Sequence, residues 1–284
     1  MSEKQIRAFF DEATNTVSYL LWCARTREGA VIDPVLDWEQ ASGQADVRSA
    51  RAVLDAAAAE DVRVTRVLET HAHADHLTAA PWIKARTGAR IGIGAEIVKV
   101  QAIFRPVFDV EAAPADFDDL WPDGARFRIG ALEVEVMHVP GHTPADVAYR
   151  VGGDVFVGDT LFMHDYGTAR CDFPAGDARA LWRSIGRLLA LPDATRLWMC
   201  HDYKAPGRDH FAWQSSVALQ KAHNPHLALD EEGFVRFRQE RDATLRVPAL
   251  LLPSIQVNIR AGRFPAAEAN GVRYLKVPVK GVVE

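Results

Sequence analysis

Six residues constrain this chain more than any others: His71-Ala72-His73-Ala74-Asp75-His76, placed directly after the β-branched run 62–68. A buried neutral imidazole needs a hydrogen-bond partner or a metal, and an unpaired buried carboxylate is costly. Three imidazoles and a carboxylate in six residues therefore make poor core. At a strand end alternate residues project to the same side, so His71, His73 and Asp75 converge, and His76 reaches inward from the turn that follows. Imidazole and carboxylate are both ligands of first-row metals. The cluster reads as a metal centre rather than a solvated polar loop.

The rest of the chain supplies a frame for such a centre. Residues 16–22 and 30–32 read as short strands around Glu28-Gly29, 48–60 as an alanine-rich helix, and 62–68 and 90–93 as further strands. Strand, helix and strand in that order suggest a layered α/β fold. Leu132, Val134, Val136 and His138 alternate with Glu133 and Glu135, the period of a half-buried strand. Segments 147–151 and 154–157 flank Gly152-Gly153, a hairpin turn. Asp177 can cap a helix with Leu181, Ile185, Leu188 and Leu189 on one face, ending before Pro192, and 196–199 reads as the last core strand. Beyond Tyr203 the spacing predicts two helices, about 211–222 and 230–241, and then an irregular tail. The expected division is a core over 1–205 and an extension, 206–284, packed on it.

Three more strand ends deliver metal-ligand chemistry. His142 sits in the rigid turn Pro140-Gly141-His142-Thr143-Pro144, Asp159 in Gly158-Asp159-Thr160, and His201 in Cys200-His201-Asp202-Tyr203. Open α/β sheets bind ligands beside strand termini, where several loops meet. Composition narrows the partners. Thirty-three Lys and Arg against 38 Asp and Glu leave a net charge of −5, without the basic surface of a nucleic-acid binder. No apolar run reaches the ~18 residues of a membrane span. The start Met1-Ser2-Glu3-Lys4-Gln5 lacks a signal-peptide pattern. Cys23, Cys171 and Cys200 are too sparse for a disulfide framework and fit a reducing compartment, so the expected location is cytoplasmic.

In these motifs (HAHADH at 71–76, PGHT around His142, GDT around Asp159, CHDY around His201) the chain resembles the metallo-β-lactamase superfamily over roughly residues 10–205. The resemblance implies an αββα sandwich, here with a C-terminal helical and irregular extension, and the metal at one sheet edge. A full ligand set in that family holds two metals. One would lie on His71, His73 and His142, the other on Asp75, His76 and His201, with Asp159 bridging. A second arrangement holds one Fe(II) on His71, His142 and Asp159, leaving open positions for O2 and a substrate sulfur. The stretch Gly158-Asp159-Thr160-Leu161-Phe162 with Tyr166-Gly167-Thr168-Ala169-Arg170-Cys171-Asp172-Phe173-Pro174, together with Leu252-Pro253-Ser254-Ile255-Gln256-Val257-Asn258-Ile259-Arg260, is similar to bacterial persulfide dioxygenases of sulfide-detoxification operons. That likeness covers nearly the whole chain. It implies oxidation of glutathione persulfide by O2 to sulfite and glutathione at one Fe(II) per chain. His73, Asp75, His76 and His201 would then orient the ligands, or hold a second metal. The alternative enzyme is a glyoxalase II-like hydrolase of glutathione thioesters with two zinc ions. A non-catalytic metal-binding or redox-sensing module is an alternative of another class. The expected partners are glutathione persulfide and O2, with no nucleic acid and no membrane, and a homodimer left open.

Other residues have weaker claims. Arg170 suits a glutathione carboxylate, or else makes a surface salt bridge. Tyr203, Lys204 and Arg260 are candidates for the same task. Cys171, beside Arg170, reads as a persulfide carrier or a residue merely near the entrance. Cys23 and Cys200 read as small core hydrophobes. His138 reads as a satisfied core histidine or a group supporting the ligands, His164 as part of the entrance, and His210, His223 and His226 as surface. Trp182 and Trp198 read as packing anchors.

Overall fold

The computed structural model describes residues 3–279 and 281, so Met1 and Ser2 of the N-terminal reading lie outside the described residues. The chain begins with β1 (Lys4–Asp11), β2 (Thr16–Cys23) and β3 (Glu28–Ile32), continues through β4 (Val35–Glu39), β5 (Gln44–Asp46) and α1 (Arg48–Ala59) to β6 (Arg63–Leu68), then β7 (Leu77–Thr78), α2 (Ala80–Thr87), β8 (Arg90–Gly94), α3 (Ile97–Phe108) and β9 (Asp119–Trp121). These build a six-stranded sheet in the order β1-β2-β3-β6-β8-β9, with β4, β5 and β7 forming a small side sheet. The β3–β6, β6–β8 and β8–β9 pairs are parallel, each joined through a helix. The second half starts with the hairpin of β10 (Arg126–Ile129) and β11 (Leu132–His138). It proceeds through β12 (Val147–Val151), β13 (Asp154–Phe156), α4 (Ala178–Leu189), β14 (Arg196–Trp198) and β15 (Gln214–Ser216). Those strands lie side by side in chain order as the second sheet.

Side-chain period explains why the sheets stack. All eight residues of β2 are buried. Leu20 and Trp22 face the helices α1 to α3, whereas Val17, Tyr19, Leu21 and Cys23 face the other sheet. Likewise Tyr149 points between the sheets and Ala148 toward α4. Every central strand is thus covered on both faces, and three apolar layers alternate with two sheets. This is the expected αββα sandwich. Helix α4 starts as its sequence suggests, with the Asp177 side chain accepting from Ala180 N at 2.8 Å, and buries Leu181, Ile185 and Leu188.

The extension departs from the expectation in two places. Residues 211–216 are not helical: Gln214–Ser216 pair with β14, and the helix α5 (Val217–His223) begins only where Ser216 accepts from Leu219 N. After α6 (Glu231–Asp242), the tail is not wholly irregular, because α7 (Leu251–Asn258) packs Ile255 and Val257 into the core beside α3.

Candidate metal centre and its cavity

Strand ends of both sheets meet at one edge. The loop after β6 carries His71 to His76, the loop after β11 carries His142, the loop after β13 carries Asp159, and the loop after β14 carries His201. The backbone bends sharply at two of them. Gly141 has φ +148° and lies so close to Leu181 of α4 that a side chain there would strike its backbone, and Gly158 has φ +54° against Thr70. The loop over 71–76 is buried yet satisfied, because Asn258 at the end of α7 donates to the carbonyls of His73 and His76, both at 2.8 Å.

Each imidazole of the cluster has one nitrogen committed to the protein. His71 Nδ1 donates to Thr70 Oγ1 (3.0 Å), which itself donates to Asp33 (2.9 Å). His73 Nε2 donates to Asp33 Oδ1 (3.0 Å), His76 Nδ1 to Leu77 O (3.1 Å), His142 Nδ1 to Arg170 O (2.8 Å) and His201 Nδ1 to Asn15 O (3.1 Å). In a neutral ring the tautomer that makes such a bond carries its lone pair on the opposite nitrogen, which here is aimed inward. His71 Nε2, His73 Nδ1, His76 Nε2, His201 Nε2 and Asp159 Oδ1 are buried without any hydrogen-bond partner. Such crowding of lone pairs is unfavourable unless a cation sits among them. The donor set fits a metal.

His71, His142 and Asp159 each offer a ligand atom within 4.8 Å of the others, and so do His73, Asp75 and His76. His142 Nε2 lies 3.6 Å and His71 Nε2 3.9 Å from Asp159 Oδ2. His201 Nε2 lies 3.2 Å from Asp75 and 3.4 Å from Asp159. Burial, reinforced by the neighbouring imidazoles, holds His71 and His73 well below the ordinary histidine range. Both therefore keep a free lone pair at neutral pH. Burial raises Asp159. It also lifts Asp33 to about 6, which leaves that carboxylate ionised at pH 7 to accept from the imidazole N–H.

A cavity of about 470 Å³ opens on this centre. Asp75, His142 and Asp159 form its floor, Phe162, Tyr166 and Tyr203 an aromatic wall, Arg170, Arg238 and Arg241 its cationic side, and His226 lines it as well. Tyr203 and Arg170 therefore lie where a substrate contact belongs, although the Arg170 guanidinium is already engaged by Asp172 and by Arg246 O. The other candidates do not. Cys171 is buried, does not line this cavity, and burial pushes its thiol up rather than toward a reactive thiolate. Lys204 turns away, with Nζ 4.3 Å from the Phe211 ring. Arg260 is absent from the cavity wall; burial lowers its pKa, and the acidic group acting on it is Glu111. His164 is likewise not in the wall, and its Nδ1 meets Ser215 Oγ at 3.1 Å. His138 donates to Pro144 O and is a satisfied, partly buried histidine.

His226 corrects the surface reading. It lines the cavity and packs against Gly167, and its Nδ1 accepts from Thr168 N at 3.0 Å, which places the proton on Nε2. Burial, with Arg238 and Arg241 nearby, pulls it down to about 4, so it remains neutral at pH 7. Asp33, Asn258, Arg238 and Arg241 also escaped the sequence reading. Asp33 follows β3 by the same strand-end rule that singled out Asp159, and Arg238 and Arg241 share a helix face at i, i+3.

The family model of the metallo-beta-lactamase superfamily matches residues 12–201. The chain is 49% identical to a probable metallo-hydrolase of Burkholderia pseudomallei, over 98% of this chain and 99% of that one. It is 41% identical to glyoxylase B2 of Dictyostelium discoideum, over 98% of each. Identity to the mitochondrial persulfide dioxygenase ETHE1 of Bos taurus is 28%, over 90% of this chain and 88% of that one. The crystal structure of ETHE1 from Myxococcus xanthus superposes with a TM-score of 0.75 at 31% identity, covering 91% of this chain and all of the other.

Proposed function

Since the chain belongs to the metallo-beta-lactamase superfamily, we propose that it is a persulfide dioxygenase acting on glutathione persulfide at one Fe(II) held by His71, His142 and Asp159. The observation that carries this reading is the closure of that triad. Its three ligand atoms gather within 4.8 Å, as do those of His73, Asp75 and His76, and two of its residues, His142 and Asp159, line the cavity; neither His71–His73–His142 nor Asp75–His76–His201 gathers in that way among the described residues. Two imidazoles and a carboxylate on one side leave the other side to ligands, and the cavity lies there. The likeness to ETHE1 supports it.

The balanced reaction is glutathione persulfide plus O2 plus water giving glutathione and sulfurous acid, the outer sulfur being oxidised and O2 reduced. Fe(II), when bound, supplies the one-electron chemistry that lets O2 react with a spin-paired sulfur. The chain's own residues position the substrate. Phe162, Tyr166 and Tyr203 enclose the thiol stem. Arg241, whose Nη1 makes a long bond to Thr244 Oγ1 (3.4 Å), turns its charge to a carboxylate, and Arg238, tied to Asp242 and Thr168 O, adds positive potential. His226 Nε2–H donates to a carbonyl of the tripeptide. His73, His76 and His201 lie buried behind the polar floor, each oriented by the bonds described above. The three cysteines are unpaired and buried, in keeping with a reducing cytoplasm.

One set of observations favours a second reading. The inward nitrogens of His73, His76 and His201 are equally orphaned, and one relative is a glyoxylase, which supports a two-zinc hydrolase of glutathione thioesters as the alternative. Anaerobic purification with metal analysis, followed by O2 uptake with glutathione persulfide beside hydrolysis of a glutathione thioester, separates the two. O2 uptake at about one iron per chain is the expected result. Thioester hydrolysis at about two zinc per chain overturns it.

A further inference from the structure

Arg208 lies outside every motif that marks the metal centre, yet it is the most completely bonded cation near it. The loops after β13 and β14 leave neighbouring parallel strands at the same edge. Among their carboxylates that the metal centre does not use are Asp165, beside Tyr166, and Asp202, between His201 and Tyr203. Arg208 stands between them. Its Nε donates to Asp165 Oδ2 (2.7 Å) and Nη2 to Asp165 Oδ1 (3.2 Å), while Nη1 reaches Asp202 Oδ2 (2.6 Å) and Nη2 reaches Asp202 Oδ1 (2.7 Å). Nη1 also donates to His210 O at 2.8 Å. A guanidinium has five N–H donors, and all are spent here. The side chain is 11% exposed and that of Asp202 1%.

We propose that Arg208 is a positioning residue: a clasp that fixes the loop of Tyr166 against the loop of Tyr203 and so sets the aromatic wall of the substrate cavity. No donor is left over for a ligand, so its effect passes through what it holds. Tyr203 stacks on His201 at 5.7 Å and 13°, and meets Phe162 at 5.6 Å and Tyr166 at 5.5 Å. These four rings come from the two clasped loops alone. Without the cation, Asp165 and Asp202 confront each other unscreened, and the buried Asp202 carboxylate keeps only the backbone N–H groups of Ala212 and Lys204. The loops would separate, the wall would open, and substrate would bind in many poses. Lysine substitutes only in part, because a point charge with three donors cannot bridge two carboxylates in a fixed fork.

Part of the test rests on the proposed reaction, and part does not. Arg208→Gln, and Asp165→Asn as a milder second variant, should keep wild-type iron per chain. Both should speed hydrogen exchange in residues 160–168 and 201–212 while leaving 71–76 unchanged. KM for glutathione persulfide should rise about tenfold with kcat within about threefold, and Arg208→Lys should recover only part of the loss. Unchanged exchange and KM in both variants overturn the clasp. So does a uniform rise in exchange with parallel loss of iron, which marks ordinary structural damage. If the wild-type enzyme takes up no O2 with the persulfide, the reaction was wrong. The exchange pattern and the calorimetric affinity for glutathione then decide the clasp alone.

Discussion

At the scale of single residues, the centre works by division of labour within each imidazole. One nitrogen is spent on a protein acceptor, which fixes the ring and its tautomer, and the other is kept free for a cation. Asp33 does this twice, directly for His73 and through Thr70 for His71. Removing a ligand therefore differs from removing a neighbour. Asp159→Ala takes away the sole carboxylate of the triad and should leave a protein with less than about a tenth of the wild-type iron and no O2 uptake. His201→Ala should retain iron, because its ring meets Asp75 and Asp159 from outside the triad. Metal analysis of both variants is the check, and an empty site in His201→Ala would contradict the single-iron assignment.

At the scale of elements, helices hold the loops in place. Helix α7 pins the histidine loop through Asn258, α6 presents Arg238 and Arg241 to the cavity, and α4 seats on the turn that carries His142. That last contact is the tightest. Gly141 combines φ +148° with a backbone approach to Leu181 that leaves no room for a Cβ. Gly141→Ala must move either the turn or α4, at a cost of about 2 kcal/mol or more from strain and clash together. Denaturant midpoints should register that loss, with activity falling further because His142 moves with the turn. A midpoint equal to wild type would show that α4 can shift freely.

At the scale of the molecule, two six-stranded sheets enclose one apolar layer, and helices supply a layer on each outer face. Among the described residues no helix is long and apolar enough to cross a membrane. Three apolar layers hold the sandwich together, so removal of a metal should not unfold it. A bound ion nevertheless favours the folded chain by mass action and relieves the crowded lone pairs. Chelation should lower the thermal midpoint by about 5 °C or more while the far-ultraviolet spectrum at 25 °C stays the same. An identical midpoint would mean that the cluster holds no ion in solution.

What the sequence settles by itself is whatever depends on neighbours along the chain. Period-two burial marks β11, the Asp177 cap and its apolar stripe mark α4, and paired imidazoles after a β-branched run announce metal chemistry. Helix α7 was illegible for the same reason: Pro253, Ser254, Gln256 and Asn258 are buried among its apolar residues, so no amphipathic period survives. Likewise 214–216 become a strand only because the edge of β14 needs a partner. Tertiary packing decides which polar residues meet, although the motif resemblance already named the metal-ligand set. It gathered His71, His142 and Asp159, turned Cys171 and Lys204 away, and brought His226 and Arg238 to a wall built from segments far apart in the chain. The physical reason is range: strand alternation and helix capping act over a few residues, whereas convergence on one cation depends on how two sheets and their loops pack.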